Sequence, residues 1–114
     1  LRLELEIAVS EWAASKANGD LHAYLSSYGA DFRRWGMSKA EWSALSMQSN
    51  EFKDYQSAKV QDLLLVAYPE EEGLYLSHFR LAVRTASKQI NSIIRLYWRR
   101  EESGLLKIVA EDVG

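Results

Sequence analysis

The sequence predicts an α+β fold in which three N-terminal helices pack on a strongly curved antiparallel sheet of about four long strands. Two observations carry that prediction. Apolar residues recur at three- and four-residue steps through the first half of the chain, and after Phe52 the period changes to alternation. Three hairpin-sized turn signals then divide the second half into four extended segments: Pro69-Glu70-Glu71-Glu72-Gly73, Thr85-Ala86-Ser87-Lys88 and Glu101-Glu102-Ser103-Gly104. The 114 residues suit a single domain spanning 1–114. With 47% hydrophobic residues, one Pro and six Gly, the chain has too much to bury to be disordered or fibrous.

In the first helix Leu1, Leu5, Ala8 or Val9, Trp12 and Ala13 make one apolar stripe, while Glu4, Glu6, Glu11 and Lys16 fill the other faces. Asn18-Gly19 ends it, because both residues tolerate the left-handed conformation. Asp20 is placed to cap a second, short helix whose stripe is Leu21, Tyr24, Leu25 and Tyr28 and which stops at Gly29. The third helix opens on Ser38-Lys39-Ala40-Glu41, a capping box in which the Ser hydroxyl and the Glu carboxylate satisfy each other's orphan backbone N–H groups. Met37 and Trp42 are spaced as the accompanying hydrophobic staple, Trp42 and Leu45 face inward, and the helix runs to about Asn50.

The strands read Gln56 to Tyr68, Leu74 to Thr85, Gln89 to Arg100 and Leu105 to Val113. Strands of that length require a bent, twisted sheet with bulges. Along the second, Tyr75, Phe79, Leu81 and Val83 share one face and leave His78, Arg80 and Arg84 on the other; along the third, Ile90, Ile94, Leu96 and Trp98 oppose Arg95, Tyr97 and Arg99. On the last, Leu106, Ile108 and Ala110 alternate with Lys107, Val109 and Glu111. One face is therefore core. The other gathers Arg80, Arg84, Arg95, Tyr97 and Arg99, which suits an anionic ligand because Arg offers planar paired donors. The plainer reading is a wet sheet face, with its arginines paired across strands to Glu111 and with dimer contacts through the sheet.

Composition excludes several functions. A net charge of −2 argues against a dedicated nucleic-acid binder. The absence of Cys removes disulfides, thiolate metal sites and a cysteine nucleophile. His22 and His78 form no metal-ligand spacing, no Gly-rich phosphate loop occurs and no Ser sits in a GxSxG elbow, so neither metal nor cofactor is expected. The longest apolar run, Leu63 to Tyr68, is far below the roughly 18 residues of a membrane span. The start at Leu1, with no initiator Met, reads as a domain cut from a longer chain. What remains is a pocket at the open end of the sheet, with Tyr24, Tyr28, Asp31, Trp35, Trp42, Tyr55 and His78 as candidate lining. A His or Asp base with tyrosine donors could work there as an acid–base pair, or the aromatics could be core residues with one polar tip.

Trp12, Asn18-Gly19-Asp20-Leu21, Tyr24-Leu25, Tyr28, Asp31-Phe32 and Gly36-Met37-Ser38-Lys39-Ala40-Glu41-Trp42 resemble the N-terminal signature of NTF2-like (SnoaL-like, cystatin-like) cone domains attached to bacterial YkuD-type L,D-transpeptidases and L,D-carboxypeptidases. Phe79-Arg80, Leu96-Tyr97-Trp98-Arg99-Arg100-Glu101 and Lys107-Ile108-Val109-Ala110-Glu111 are similar to the same group, so the likeness spans almost the whole chain. Leu105-Leu106 departs from it where the group tends to have a Trp opening the last strand. The resemblance implies a non-catalytic accessory domain, since the peptidoglycan chemistry of those proteins belongs to a separate domain with a catalytic Cys. It further implies a periplasmic or otherwise envelope-facing location, and peptidoglycan, a cell-wall enzyme domain or a second copy as partner. The alternative it leaves open is a small stand-alone enzyme of the dehydratase or isomerase kind, with Asp31 or His78 as base and Tyr24 or Tyr28 as donor.

Overall fold

The fold is that predicted, seen in a computed structural model that describes residues 1–34, 36–48 and 55–113, with only the backbone described at 33–34 and 45–48. Helix α1 (Arg2–Ala17) buries Leu5, Val9, Trp12 and Ala13. It ends in a Schellman arrangement. The Asp20 N–H donates to the Ser15 carbonyl at 2.9 Å and the Gly19 N–H to that of Lys16 at 3.3 Å, with Gly19 at φ 65°. Asp20 then caps α2 (Leu21–Ser26) by accepting from the Ala23 N–H at 3.1 Å. That helix ends at Ser26, ahead of the expected Gly29, because the backbone of Ser27 and Gly29 is taken up by the sheet. The Gly29 N–H donates to the Ile108 carbonyl and the Ile108 N–H to that of Ser27, both at 2.8 Å.

Four residues past Gly29, β1 (Arg33–Arg34) pairs antiparallel with β2 (Met37–Ser38), a small ladder that periodicity does not reveal. The capping box at the start of α3 (Lys39–Gln48) forms as read. The Glu41 N–H donates to Ser38 Oγ at 3.3 Å and the Ser38 N–H to the Glu41 carboxylate at 3.4 Å. Met37 and Trp42 both join the core. The expected inward Leu45 and the helix end near Asn50 fall outside the described side chains and residues.

The sheet runs β3 (Tyr55–Ala67), β4 (Leu74–Thr85), β5 (Gln89–Arg100), β6 (Leu106–Val113) in spatial order, antiparallel throughout. Two bulges shape it. On β3, Gln61 opposes Arg80 and Leu64 opposes His78, so Asp62 and Leu63 stand against Phe79 alone, with Asp62 at φ 56°. Ala58 and Val60 pack toward the core before the bulge, Leu63 and Leu65 after it. On β6, Ile108 opposes Trp98 and Ala110 opposes Tyr97, which makes Val109 the extra residue. Simple alternation puts Ala110 inward and Glu111 outward. The bulge reverses both, because each residue beyond it shifts to the opposite face.

The core lies between the sheet and the helices. It is built from Trp12, Tyr24, Tyr28, Phe32 and Trp42 above and Phe79, Leu81, Ile94, Leu96, Trp98 and Ile108 below. Trp98 is satisfied there by donating its Nε1–H to Ser77 Oγ at 2.9 Å. Arg100 ties the sheet to the first turn of α1 with two hydrogen bonds to Glu4, at 2.7 and 3.1 Å.

Candidate functional site

Three regions contain the residues that sequence reasoning picked out. The first is interior. Tyr28 is fully buried, and its hydroxyl lies 2.6 Å from Glu111 Oε1, 3.0 Å from the Tyr24 hydroxyl and 3.1 Å from Trp12 Nε1. One phenol proton cannot serve two acceptors. It goes to the carboxylate, the charged and closer partner, while Trp12 and Tyr24 point their protons at the Tyr28 oxygen. Burial first, then the adjoining Tyr24 and Glu111, push the Tyr28 hydroxyl well above the usual phenol range. The ring of Tyr28 packs at 4.6 Å from both Phe32 and Trp42, so α2, β6 and α3 meet on one side chain.

Lys16 completes this region. Its ammonium lies 5.2 Å from the centroid of Trp12, 5.7 Å from that of Tyr24 and 5.9 Å from that of Tyr55. Lys16 and Glu111 are half-buried groups that sequence reasoning assigns to solvent faces. For Lys16 a signal existed, since it stands four residues after the buried Trp12 on the same side of α1. Glu111 gives none, because its inward turn depends on the Val109 bulge.

The second region is an open cleft of about 460 Å³ formed by Asp31, Arg99, Arg100, Glu101, Glu102, Ser103 and Val109. Asp31 is exposed there and apart from the tyrosines. The third is the outer sheet face. His78 lies on it, opposite Leu64 and Arg95, so the proposed pocket grouping of Asp31 and His78 with Tyr24, Tyr28, Trp42 and Tyr55 is not what the chain assembles. Tyr24, Tyr28 and Trp42 are core; Tyr55 is half-buried beside Lys16; Trp35 lies outside the described residues.

Arg80, Arg84, Arg95, Tyr97 and Arg99 share the outer face as read, but the arginines do not form a bare cationic surface. Arg80 pairs with Asp62 at 3.8 Å, Arg95 with Asp112 at 3.7 Å, and Arg99 with Glu71. Glu111, expected as the cross-strand partner, is inside with Tyr28, and Asp112 takes its place because the bulge turns it outward. Arg84 makes no ion pair among the described residues. Beside these charges an apolar row crosses the sheet: Val66, Leu76, Tyr97 and Ala110 lie opposite one another on successive strands.

No metal-holding group of His, Cys, Asp and Glu occurs among the described residues, and no described helix is long and apolar enough to cross a membrane.

Residues 4–112 match the model of the Cds6 C-terminal NTF2-like domain family. Among solved structures, the helical cell shape determining protein Pgp2 from Campylobacter jejuni is similar at 25% identity and a TM-score of 0.75, over 92% of this chain and 38% of that one. Bdellovibrio bacteriovorus Bd1075 is similar at 18% identity and a TM-score of 0.75, over 99% of this chain and 40% of that one. A cystatin-like-fold protein of unknown function from Nostoc punctiforme has the same TM-score at 13% identity, over 98% of this chain and 88% of that one. The chain thus spans well under half the length of the first two. No curated protein matches it.

Proposed function

The chain belongs to the Cds6 C-terminal NTF2-like domain family, and from that premise we propose that it is a non-catalytic accessory domain of a longer, envelope-facing bacterial cell-wall protein, binding that protein's substrate or partner. The observation that carries this reading is the likeness of nearly the whole chain to one part of the cell-shape protein Pgp2. The interior supports binding over catalysis. A dehydratase or isomerase would need a phenol reaching its substrate, whereas Tyr24 and Tyr28 are buried and hydrogen-bonded to each other. His78, the one strand histidine, is on the far side of the sheet from them.

Co-sedimentation of the domain with isolated peptidoglycan sacculi, at low and at physiological salt, tests the reading. Binding by the domain supports it. Loss of that binding in an Arg80→Ala/Arg95→Ala double variant puts the contact on the arginines of the outer face, and retention takes it away from those two arginines. No sedimentation at either salt overturns wall binding.

A further inference from the structure

Resting on that reading, we propose that the outer sheet face takes an uncharged glycan chain, with the rings of Tyr68 and Tyr97 as platform and the Arg95–Asp112 and Arg99–Glu71 pairs as its hydrogen-bonding flanks. Tyr68 follows β3 and continues its pairing, its N–H donating to the Leu74 carbonyl at 2.8 Å. That places it on the same face as Leu76 and Tyr97. The two rings meet edge to face, with centroids 6.2 Å apart and planes at 74°, and both are half-buried. Leu74, which pairs with Tyr68 and lies opposite Arg99, is buried on the strand between them.

The charges decide which ligand fits. A polyanion seeks guanidinium groups without counter-ions, yet three of the four arginines on this face already have a carboxylate beside them. Compensated pairs of this kind are exposed, at 38% and 65% for Arg95 and Asp112 and 41% and 52% for Arg99 and Glu71. Each keeps N–H donors and carboxylate lone pairs beyond those its partner uses. A pyranose ring presents one apolar C–H face and a rim of hydroxyls that both donate and accept. The apolar face matches the tyrosine rings and the rim matches the neutralised pairs, with no net charge required of the ligand.

Titration of the isotope-labelled domain with an N-acetylglucosamine tetramer, followed by NMR, tests this. Shifts are expected to cluster at Tyr68, Leu76, Tyr97 and Arg99. Affinity should change less than about twofold between roughly 20 and 300 mM salt, because no counterions are displaced. Tyr97→Ala should weaken binding by about tenfold or more, as loss of a stacked ring does, and Tyr97→Phe should keep it. Tyr68→Ala, at the strand end, serves if Tyr97→Ala fails to fold. Shifts elsewhere, a tenfold loss with salt, or no binding would overturn the proposal. So would a dimer in sedimentation equilibrium that Tyr97→Ala dissociates, since a second copy would then own the face. The wall-binding reading fails separately: sacculi bound equally by wild type and Tyr97→Ala leave it standing without this platform, and sacculi bound by neither remove it.

Discussion

Tyr28 joins three neighbours through one oxygen, and its replacement shows what such a buried polar contact contributes. Tyr28→Phe leaves Trp12 Nε1–H without its acceptor and removes the Tyr28 hydrogen bond from the Glu111 carboxylate, so a loss of about 1–3 kcal/mol in urea unfolding is expected. Glu111→Gln should be milder than Glu111→Ala, because the amide oxygen still accepts from Tyr28. Alkali probes the same group. A phenol held above its usual range is protonated in the folded state when the unfolded chain has already released its proton. Its contribution is therefore complete below pH of about 10 and lost as pH rises through the folded value. Melting temperature should fall from about pH 10 upward, and Tyr28→Phe should fall less steeply. At this scale sequence identifies Tyr24, Tyr28 and Trp42 as notable but not their use: the spacing that makes a buried stripe also makes a pocket wall, and only the third dimension separates the two.

At the scale of elements, legibility follows whether the signal is local. The Schellman end at Gly19, the Asp20 cap and the Ser38/Glu41 box are each written in four or five consecutive residues, and each forms. Ser38→Ala should cost about 1 kcal/mol by thermal or urea unfolding. Strand extents were legible to a residue or so because turn residues bracket them. Bulges were legible only as a requirement, since nothing in Val109 itself says that it is the extra residue. Deleting Val109 offers a sharp test. It restores simple alternation while leaving Ala110 opposite Tyr97 and Glu111 facing Tyr28, and should therefore destabilise the domain less than Tyr28→Phe does, as read by urea unfolding. Had Val109 been an ordinary strand residue, its deletion would turn Ala110 inward and Glu111 outward, away from Tyr28, and would cost more than Tyr28→Phe does.

Over the whole molecule, β4 and β5 are the central strands, hydrogen-bonded on both sides and packed against the helical layer. Hydrogen–deuterium exchange should therefore be slowest at Phe79–Leu81 and Ile94–Leu96 and fastest on the edge strand around Asp62, where the bulge interrupts the ladder. Equal protection on both strands would contradict that ordering. The acidic net charge and the arginine-rich outer face, which look contradictory as composition, agree once Asp62, Glu71 and Asp112 are seen beside the arginines.

The tie between Tyr28 and Glu111 also has a consequence for synthesis. Its partners are separated by 83 positions, so a chain leaving the ribosome carries α1 and α2 through the synthesis of all the residues between them with the Tyr28 phenol still lacking its carboxylate. The helical hairpin must wait for the final strand, and the slow step of folding is expected to be the arrival of β6 beneath it, since contacts so distant along the chain form late. A polypeptide stopped before Glu111 would bury the phenol without its counterpart, and it is at that point that a chaperone would find it.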